Sequence, residues 1–310
     1  MKVCIIGSYA KALVMTANRI PVAGETLLGR DYRETYGGKG SDMAVQAARL
    51  GADVSYIGVV GKDSFGNEFI ELMGSEQVNT DGIRQTEDKA TGVGFIIKDT
   101  FAKNIITVDM GANEEFSKED IDTHLHLIEQ ADVVLAQLEI PLDTALYAMK
   151  KAKELGKTTI LNPAPAQNLL TYDLSCIDIL TPNETESRVT IGELPEAGLT
   201  HRQAAEKLLQ TGCGTVVITL GENGVDIHTA KETRHVDAFK IDVVDSNGAG
   251  DSFNASLAVA LSEGKQLDEA VRFANAAAGL CCTKWETVPS YHTRTEVEAF
   301  LQNNQILERS

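Results

Sequence analysis

The pattern of apolar and polar positions divides the chain into two unlike regions. Lys2–Gly7 is a short β-branched run closing on glycine, as in a buried strand, and Val54–Val60 is another. Tyr9–Thr16, Gly29–Tyr36, Thr91–Lys98 and Asn104–Asp109 are also β-rich but lack a solid apolar stretch. They predict a small sheet of four strands, a lid or dimer surface, with Asp99–Lys103 as a hairpin-like connection. A helix capped by Ser41 or Asp42 would carry Ala44, Ala47, Ala48 and Leu50 on its apolar face and stop at Gly51, and another lies near Asn67–Ser75.

From Glu114 onward strand and helix alternate. Helix Lys118–Gln130 leads to strand Asp132–Gln137, helix Leu142–Leu155 to Thr158–Asn162, and helix His201–Thr211 to Thr215–Leu220, with a further strand at Ile177–Thr181. Helices Ala249–Glu263, Leu267–Cys282 and Thr295–Leu301 close the pattern. Val133–Leu135, Thr159–Leu161 and Val216–Ile218 are apolar at consecutive positions, as strands covered on both faces must be. The expected architecture is a single α/β domain over residues 1–310: a three-layer sandwich around a mostly parallel sheet, with a discontinuous β lid from about 9–16, 29–36, 91–98 and 104–109.

Composition narrows the partners. A net charge of −17 argues against nucleic acid or an anionic membrane, since both need a basic patch. A phosphate-bearing ligand would need backbone amides, a local Lys or Arg, or a metal ion. The five cysteines, Cys4, Cys176, Cys213, Cys281 and Cys282, form no C-x-x-C pair and read as thiols of a reducing, cytoplasmic compartment. The first residues read as a strand rather than a signal peptide, and no apolar run is long enough to span a membrane.

Ligands of such sheets bind beyond the carboxyl ends of the strands. The polar loops there hold Glu139, Asn162–Ala166, Thr181–Glu186, Thr219–Gly224 and Asp245–Asp251. In the last, an apolar strand end at Val243-Val244 runs into small residues, and a helix starts at once. The backbone N–H groups of Gly248, Ala249 and Gly250 are unshielded, and a helix N-terminus favours an anion. Asp251 at its mouth suits proton removal from a hydroxyl attacking a phosphoryl group. On spacing alone it is equally a helix cap at a strand–turn–helix corner.

These residues resemble the ribokinase-like sugar kinases, the PfkB family, from Met1 to about Leu301. Gly37-Gly38-Lys39-Gly40 with an acid at 42 is similar to the family's first motif, and Gly58–Gly66 to its companion loop. Asn162–Ala166 and Thr181–Glu186 are also similar, and Asp245–Asp251 resembles the catalytic motif. The resemblance implies ATP-dependent phosphorylation of a sugar-like hydroxyl. Asp251 would be the base, with Gly248, Ala249 and Gly250 as the anion hole. Asn183, Thr219, Gly221, Gly224 and Asn275 would bind the nucleotide, and Glu186 would hold Mg²⁺ directly or through water. Asn183 and Glu186 also read as a capping box, and Asn275 as a core amide. Gly37, Gly38, Lys39, Asp42 and Glu139 would bind the substrate. Asp245, Asn247, Cys281, Lys284 and Ser290 match a monovalent-cation (K⁺) site, where Glu286 replaces a frequent glycine. A homodimer through the lids is implied.

On the substrate side the chain departs from the family. Its Gly-Ser-x-Asn-x-Asp pattern reads Gly7-Ser8-Tyr9-Ala10-Lys11-Ala12 here, and the usual Asn of the first motif is Asp42. D-ribose is therefore expected to be a poor acceptor, with another sugar, a sugar derivative or a nucleoside in its place. Asp42 would suit a cationic or hydroxyl-rich group, Lys11 an anionic one if it points inward, and Tyr9 a stacked base. The competing readings are a nucleoside kinase and a non-catalytic sugar- or nucleotide-binding regulator. A Rossmann oxidoreductase is excluded, because no Gly-x-Gly-x-x-Gly follows the first strand.

Overall fold

Every strand that the apolar pattern marks as doubly covered enters one sheet. The computed structural model describes residues 1–99, 104–196 and 198–308, with side chains to residue 304. In chain order the elements are β1 (Lys2–Ile6), β2 (Ala10–Thr16), β3 (Arg30–Gly37), α1 (Lys39–Arg49), β4 (Asp53–Gly61), α2 (Ser64–Ser75), β5 (Asn79–Thr86), β6 (Gly92–Lys98) and β7 (Asn104–Asp109). There follow α3 (Lys118–Thr123), α4 (Leu125–Gln130), β8 (Val133–Ala136), α5 (Leu142–Glu154), β9 (Thr158–Leu161), β10 (Ile179–Leu180), α6 (Glu184–Thr190), α7 (His201–Leu209) and β11 (Thr215–Thr219). β12 (Val225–Thr229), β13 (Thr233–Val236), α8 (Ala249–Ser262), α9 (Leu267–Cys281) and α10 (Arg294–Glu308) complete the chain.

Among the described residues the main sheet has nine strands, in the order β13-β12-β11-β10-β9-β8-β1-β4-β5. All pairs are parallel except β11 with β12 and β12 with β13. Strand alternation sends Val3 and Ile5 to one face, and Cys4 and Ile6 to the other. The first face packs under α1, α2, α8 and α9, the second under α3, α4, α5 and α7. The lid is a separate sheet, β3-β2-β6-β7, as the weaker β-rich runs predict. No helix of the described residues is long and apolar enough to cross a membrane.

Several expectations are corrected. The helix expected over Lys118–Gln130 is two short helices, α3 and α4, broken at His124, whose ring nitrogen lies 2.9 Å from the Asp120 carbonyl. Neither Ser41 nor Asp42 caps α1, which starts earlier, at Lys39, with Gly38 as its cap. Val243 and Val244 end no strand. The N–H groups of Val244 and Asp245 both donate to the Cys282 carbonyl at the end of α9, at 2.8 and 3.2 Å, and both valines are exposed. Their polar groups are satisfied by a helix end, so the segment borders a cleft instead of joining a sheet. β5, β12 and β13 have no counterpart among the expected strands: β5 is a polar edge strand, and β12–β13 is a hairpin on the opposite edge. Past Asp99, the connection expected over 99–103 lies outside the described residues.

Candidate active site

The turn into α8 is shaped by glycine. Gly248 holds φ +77° as the N-cap, and a side chain there would lie 2.7 Å from the Tyr291 hydroxyl. No side chain caps this end. Of the three amides singled out, that of Ala249 turns back on the Ser246 carbonyl at 3.3 Å, while Ala249 and Gly250 both line a cleft of about 1140 Å³.

Asp251 follows in the first helical turn and is buried. Its Oδ1 has no hydrogen-bond partner and lies 3.9 Å from Lys39 Nζ at the start of α1. Burial pushes its carboxyl up to about 6, although Lys39 pulls it down. Lys39 is itself held above the usual range, first by Asp251. Asp42, one turn along α1, is also buried, with Oδ1 unpartnered. Burial, reinforced by the charge of Asp251, holds its carboxyl well above the usual carboxylate range. Glu139 Oε2 accepts from Ser8 Oγ at 2.6 Å and from the Lys39 N–H at 2.8 Å. Ser8 in turn receives Gln137 Nε2 at 2.9 Å. Ser8 and Gln137, both fully buried, thus orient the acid; Ser8 stood in the Gly-Ser pattern without an assigned role.

This arrangement requires α1 to touch the end of β1. A side chain at Gly40 would meet Ser8 N at 2.4 Å and Gly7 Cα at 2.6 Å, and one at Gly38, with φ +91°, would meet Ala10 N at 2.8 Å. Ser41 donates from its hydroxyl to the Gly37 carbonyl at 2.7 Å and from its N–H to Ser8 O at 3.0 Å.

The other loops meet at the same sheet edge. Asn183 and Glu186 form the capping box of α6, and Asn183 bridges to Thr219 at the end of β11. Burial raises the carboxyl of Glu186. Thr219, Gly221 and Gly224 line the cleft together with Asn275, whose Nδ2 donates to the Asp237 carbonyl at 3.3 Å. A side chain at Gly224 would strike Val236 O at 2.3 Å, and its φ is +87°. Thr181 Oγ1 donates to Asn254 Oδ1 at 2.6 Å and Asn162 Nδ2 to Thr181 O at 2.8 Å, which ties two of the loops to α8. Asn254 and the cleft-lining Phe239 were not singled out from sequence.

The sequence matches the pfkB family carbohydrate kinase over residues 1–294. The chain belongs to that family. It is a carbohydrate kinase, a phosphotransferase with an alcohol acceptor. It is 38% identical to the ribokinase of Haemophilus influenzae, over 96% of this chain and 98% of that one. It is 32% identical to the deoxyribokinase of Salmonella typhimurium, over 98% of this chain and 100% of that one. The structure of Arabidopsis thaliana ribokinase complexed with ribose and ATP superposes with a TM-score of 0.88 at 31% identity, covering 96% of this chain and 98% of that one.

In this kinase the departures from the family pattern have definite places. Ala10 and Ala12 lie buried beside Gly37 and Gly38: a side chain at Gly37 would come 3.6 Å from Ala12 Cβ. Lys11 points to the opposite lid face, where it pairs with Glu68, and with Glu34 at 3.4 Å, so it offers no charge to the Ala10–Ala12 face. Tyr9 is fully buried, its ring stacked on Phe69 with centroids 4.2 Å apart, and is not available to a base. The residues matched to a cation site gather around one turn. Asp245 accepts from the N–H groups of Asn247 and Glu286, both at 3.1 Å. The Cys281 thiol lies 3.1 Å from Ser290 Oγ and 3.6 Å from Asn247 O, and the Lys284 N–H donates to Cys281 O at 3.3 Å.

Proposed function

We propose that this kinase moves the γ-phosphoryl group of ATP to a hydroxyl of a sugar other than D-ribose, with Asp251 as general base. The observation that carries this reading is the cleft itself. One continuous surface is lined by the Thr219–Gly224 loop, Asn275 and Phe239, and also by Ala249 and Gly250, next to Asp251. A nucleotide lying along it, over Asn183, Thr219, Gly221, Gly224 and Asn275, brings its terminal phosphate to the turn of Gly248, Ala249 and Gly250. As the acceptor oxygen bonds to the γ-phosphorus, its proton passes to Asp251, the bond to the β-phosphate oxygen breaks, and ADP departs. Burial raises Asp251 to about 6, near the range where a base both accepts a proton and stays ionised at neutral pH.

Mg²⁺ fits the donor set. Asp251, Glu139 and Glu186 all act on the single cation Lys39, leaving excess negative charge and hard oxygen donors, and Glu186 would hold the ion directly or through water. When bound, Mg²⁺ neutralises charge on the phosphates. Asp245, the carbonyls of Asn247, Cys281 and Lys284 and the Ser290 hydroxyl would hold K⁺, because a carboxylate or carbonyl oxygen that accepts one hydrogen bond keeps a second lone pair. Equal rates in potassium and in a large organic cation buffer refute that site.

Gly37, Gly38, Lys39, Asp42 and Glu139 bound the acceptor. Asp42, buried with Oδ1 unpartnered, offers that oxygen to a substrate hydroxyl, and the wall of Ala10 and Ala12 pairs with carbon rather than with hydroxyls. That wall favours, as a second and narrower reading, an acceptor with a hydroxyl missing there, such as a deoxy sugar. Strand alternation and register put Met15, Phe95 and Ile105 on one lid face, all exposed, which supports pairing of two copies through their lids. The free thiols suit the cytoplasm, where ATP is supplied. ATP turnover across D-ribose, 2-deoxy-D-ribose, other pentoses, hexoses, sugar acids and nucleosides, with Asp251→Asn as control, tests the reading. Ribose as clearly the best acceptor refutes the acceptor assignment, and undiminished turnover in Asp251→Asn refutes the base.

A further inference from the structure

Three consecutive residues between α9 and α10 hold the lid. Trp285 lies under the Lys98 ammonium of β6, 5.8 Å from the ring centroid. The Glu286 carboxylate pairs with Arg33 of β3 at 2.7 Å and accepts from Thr35 Oγ1 at 3.5 Å. Thr287 donates from its hydroxyl to the Tyr36 carbonyl at 3.5 Å. The same short segment also grips the catalytic turn, because the Glu286 N–H donates to Asp245 Oδ2 at 3.1 Å. Asp245 Oδ1 accepts from the Asn247 N–H, just ahead of Gly248. Glu286 makes these contacts from φ +70°, a conformation that disfavours every residue but glycine. Such a backbone persists in a non-glycine residue only where surrounding contacts hold it.

We infer that Glu286 is a positioning residue that couples the lid to the anion-hole turn. Its carboxylate holds β3, the strand that ends in the Gly37–Gly38 acceptor turn, while its amide holds Asp245. Seating a sugar under the lid and shaping the turn of Gly248–Gly250 are then one event. The inference rests on the catalytic reading of the Asp245–Asp251 turn.

Hydrogen exchange needs no known acceptor and tests the coupling directly. Arg33→Ala changes only the lid, yet it is expected to raise exchange at 245–250 roughly three- to tenfold, the scale of a half-exposed ion pair. Glu286→Gly is expected to raise exchange in β3 by a similar factor. Glycine suits the φ of +70°, so Glu286→Gly keeps its urea midpoint within error or raises it. In kinetics with the panel sugar that turns over fastest, Glu286→Gly raises the acceptor KM roughly three- to tenfold and lowers kcat, leaving the ATP KM within about twofold. The charge swap Arg33→Glu with Glu286→Arg recovers most of the loss seen in either single variant. Exchange confined to the mutated element, or a swap no better than the singles, overturns the coupling. If Asp251→Asn keeps full turnover while the exchange result holds, the catalytic reading fails and the coupling stands.

Discussion

Replacing Lys39 with methionine removes the cation 3.9 Å from Asp251 Oδ1 and keeps most of the side-chain volume. At an effective dielectric of about 20, unit charges at that distance interact by roughly 4 kcal/mol, or about 3 pH units of carboxyl pKa. Lys39 retains 29% side-chain exposure, so solvent reduces the effect, and a shift of roughly 1–3 units is expected. The sign follows from the charges. A neighbouring cation favours the ionised carboxylate, so its loss raises the pKa of Asp251, and a base must be ionised to act. The assay is kcat/KM for the best panel sugar from pH 5 to 9. The parent enzyme should lose activity below pH 6 as Asp251 protonates, and Lys39→Met should carry that limb upward. ATP ionises identically in both, so the difference belongs to the protein. A limb that stays in place or moves down refutes the assignment of Lys39 and Asp251 as an electrostatic pair.

Three further outcomes are expected. Asp251 has its pKa raised in the folded state from 3.8 to about 6, so the stability it contributes is present below about pH 4 and lost as pH rises through 6. Asp251→Asn should therefore exceed the parent in urea-unfolding stability at pH 8, on the order of 1–3 kcal/mol, and match it at pH 4; equal difference at both pH values counts against a buried charge. Gly40→Ala forces a methyl group onto Ser8 N and Gly7 Cα, and should cost at least about 2 kcal/mol and abolish turnover, read by urea midpoint and rate. Asn113, buried, accepts from Tyr9 N at 3.0 Å and donates to Tyr9 O at 2.7 Å, so Asn113→Ala leaves two backbone groups unpaired and should lower stability by roughly 2–4 kcal/mol in the same assay.

Legibility followed the strength of the local signal. β8 and β11 are apolar at every core position, and β9 at all but Thr159, because helices cover both faces, and their sequence runs match the strands closely. β5 carries Asn79, Asp81 and Arg84 because it is an edge strand, and no apolar run announces it. Val243-Val244 misled for the opposite reason: two β-branched residues read as a strand end, while the N–H groups of Val244 and Asp245 are claimed by the end of α9, distant in sequence. At the site, the turn of Gly248–Asp251 and the Gly37–Gly40 motif were legible, since close backbone approach demands glycine locally. Ser8 and Gln137 were not, because their role is to orient Glu139 across a sheet edge from positions far apart in the chain. The side of the lid that Lys11 faces was equally hidden, since a one-residue change of register would reverse it.

Asp251 is expected to take the proton of the acceptor hydroxyl. Rapid-quench measurement of phosphoryl transfer by Asp251→Asn, with ATP and the best panel sugar both saturating, tests it most directly. A fall of roughly 10²–10⁴-fold in the chemical step is expected, with ATP affinity nearly unchanged. A step within about threefold of the parent rate would contradict it.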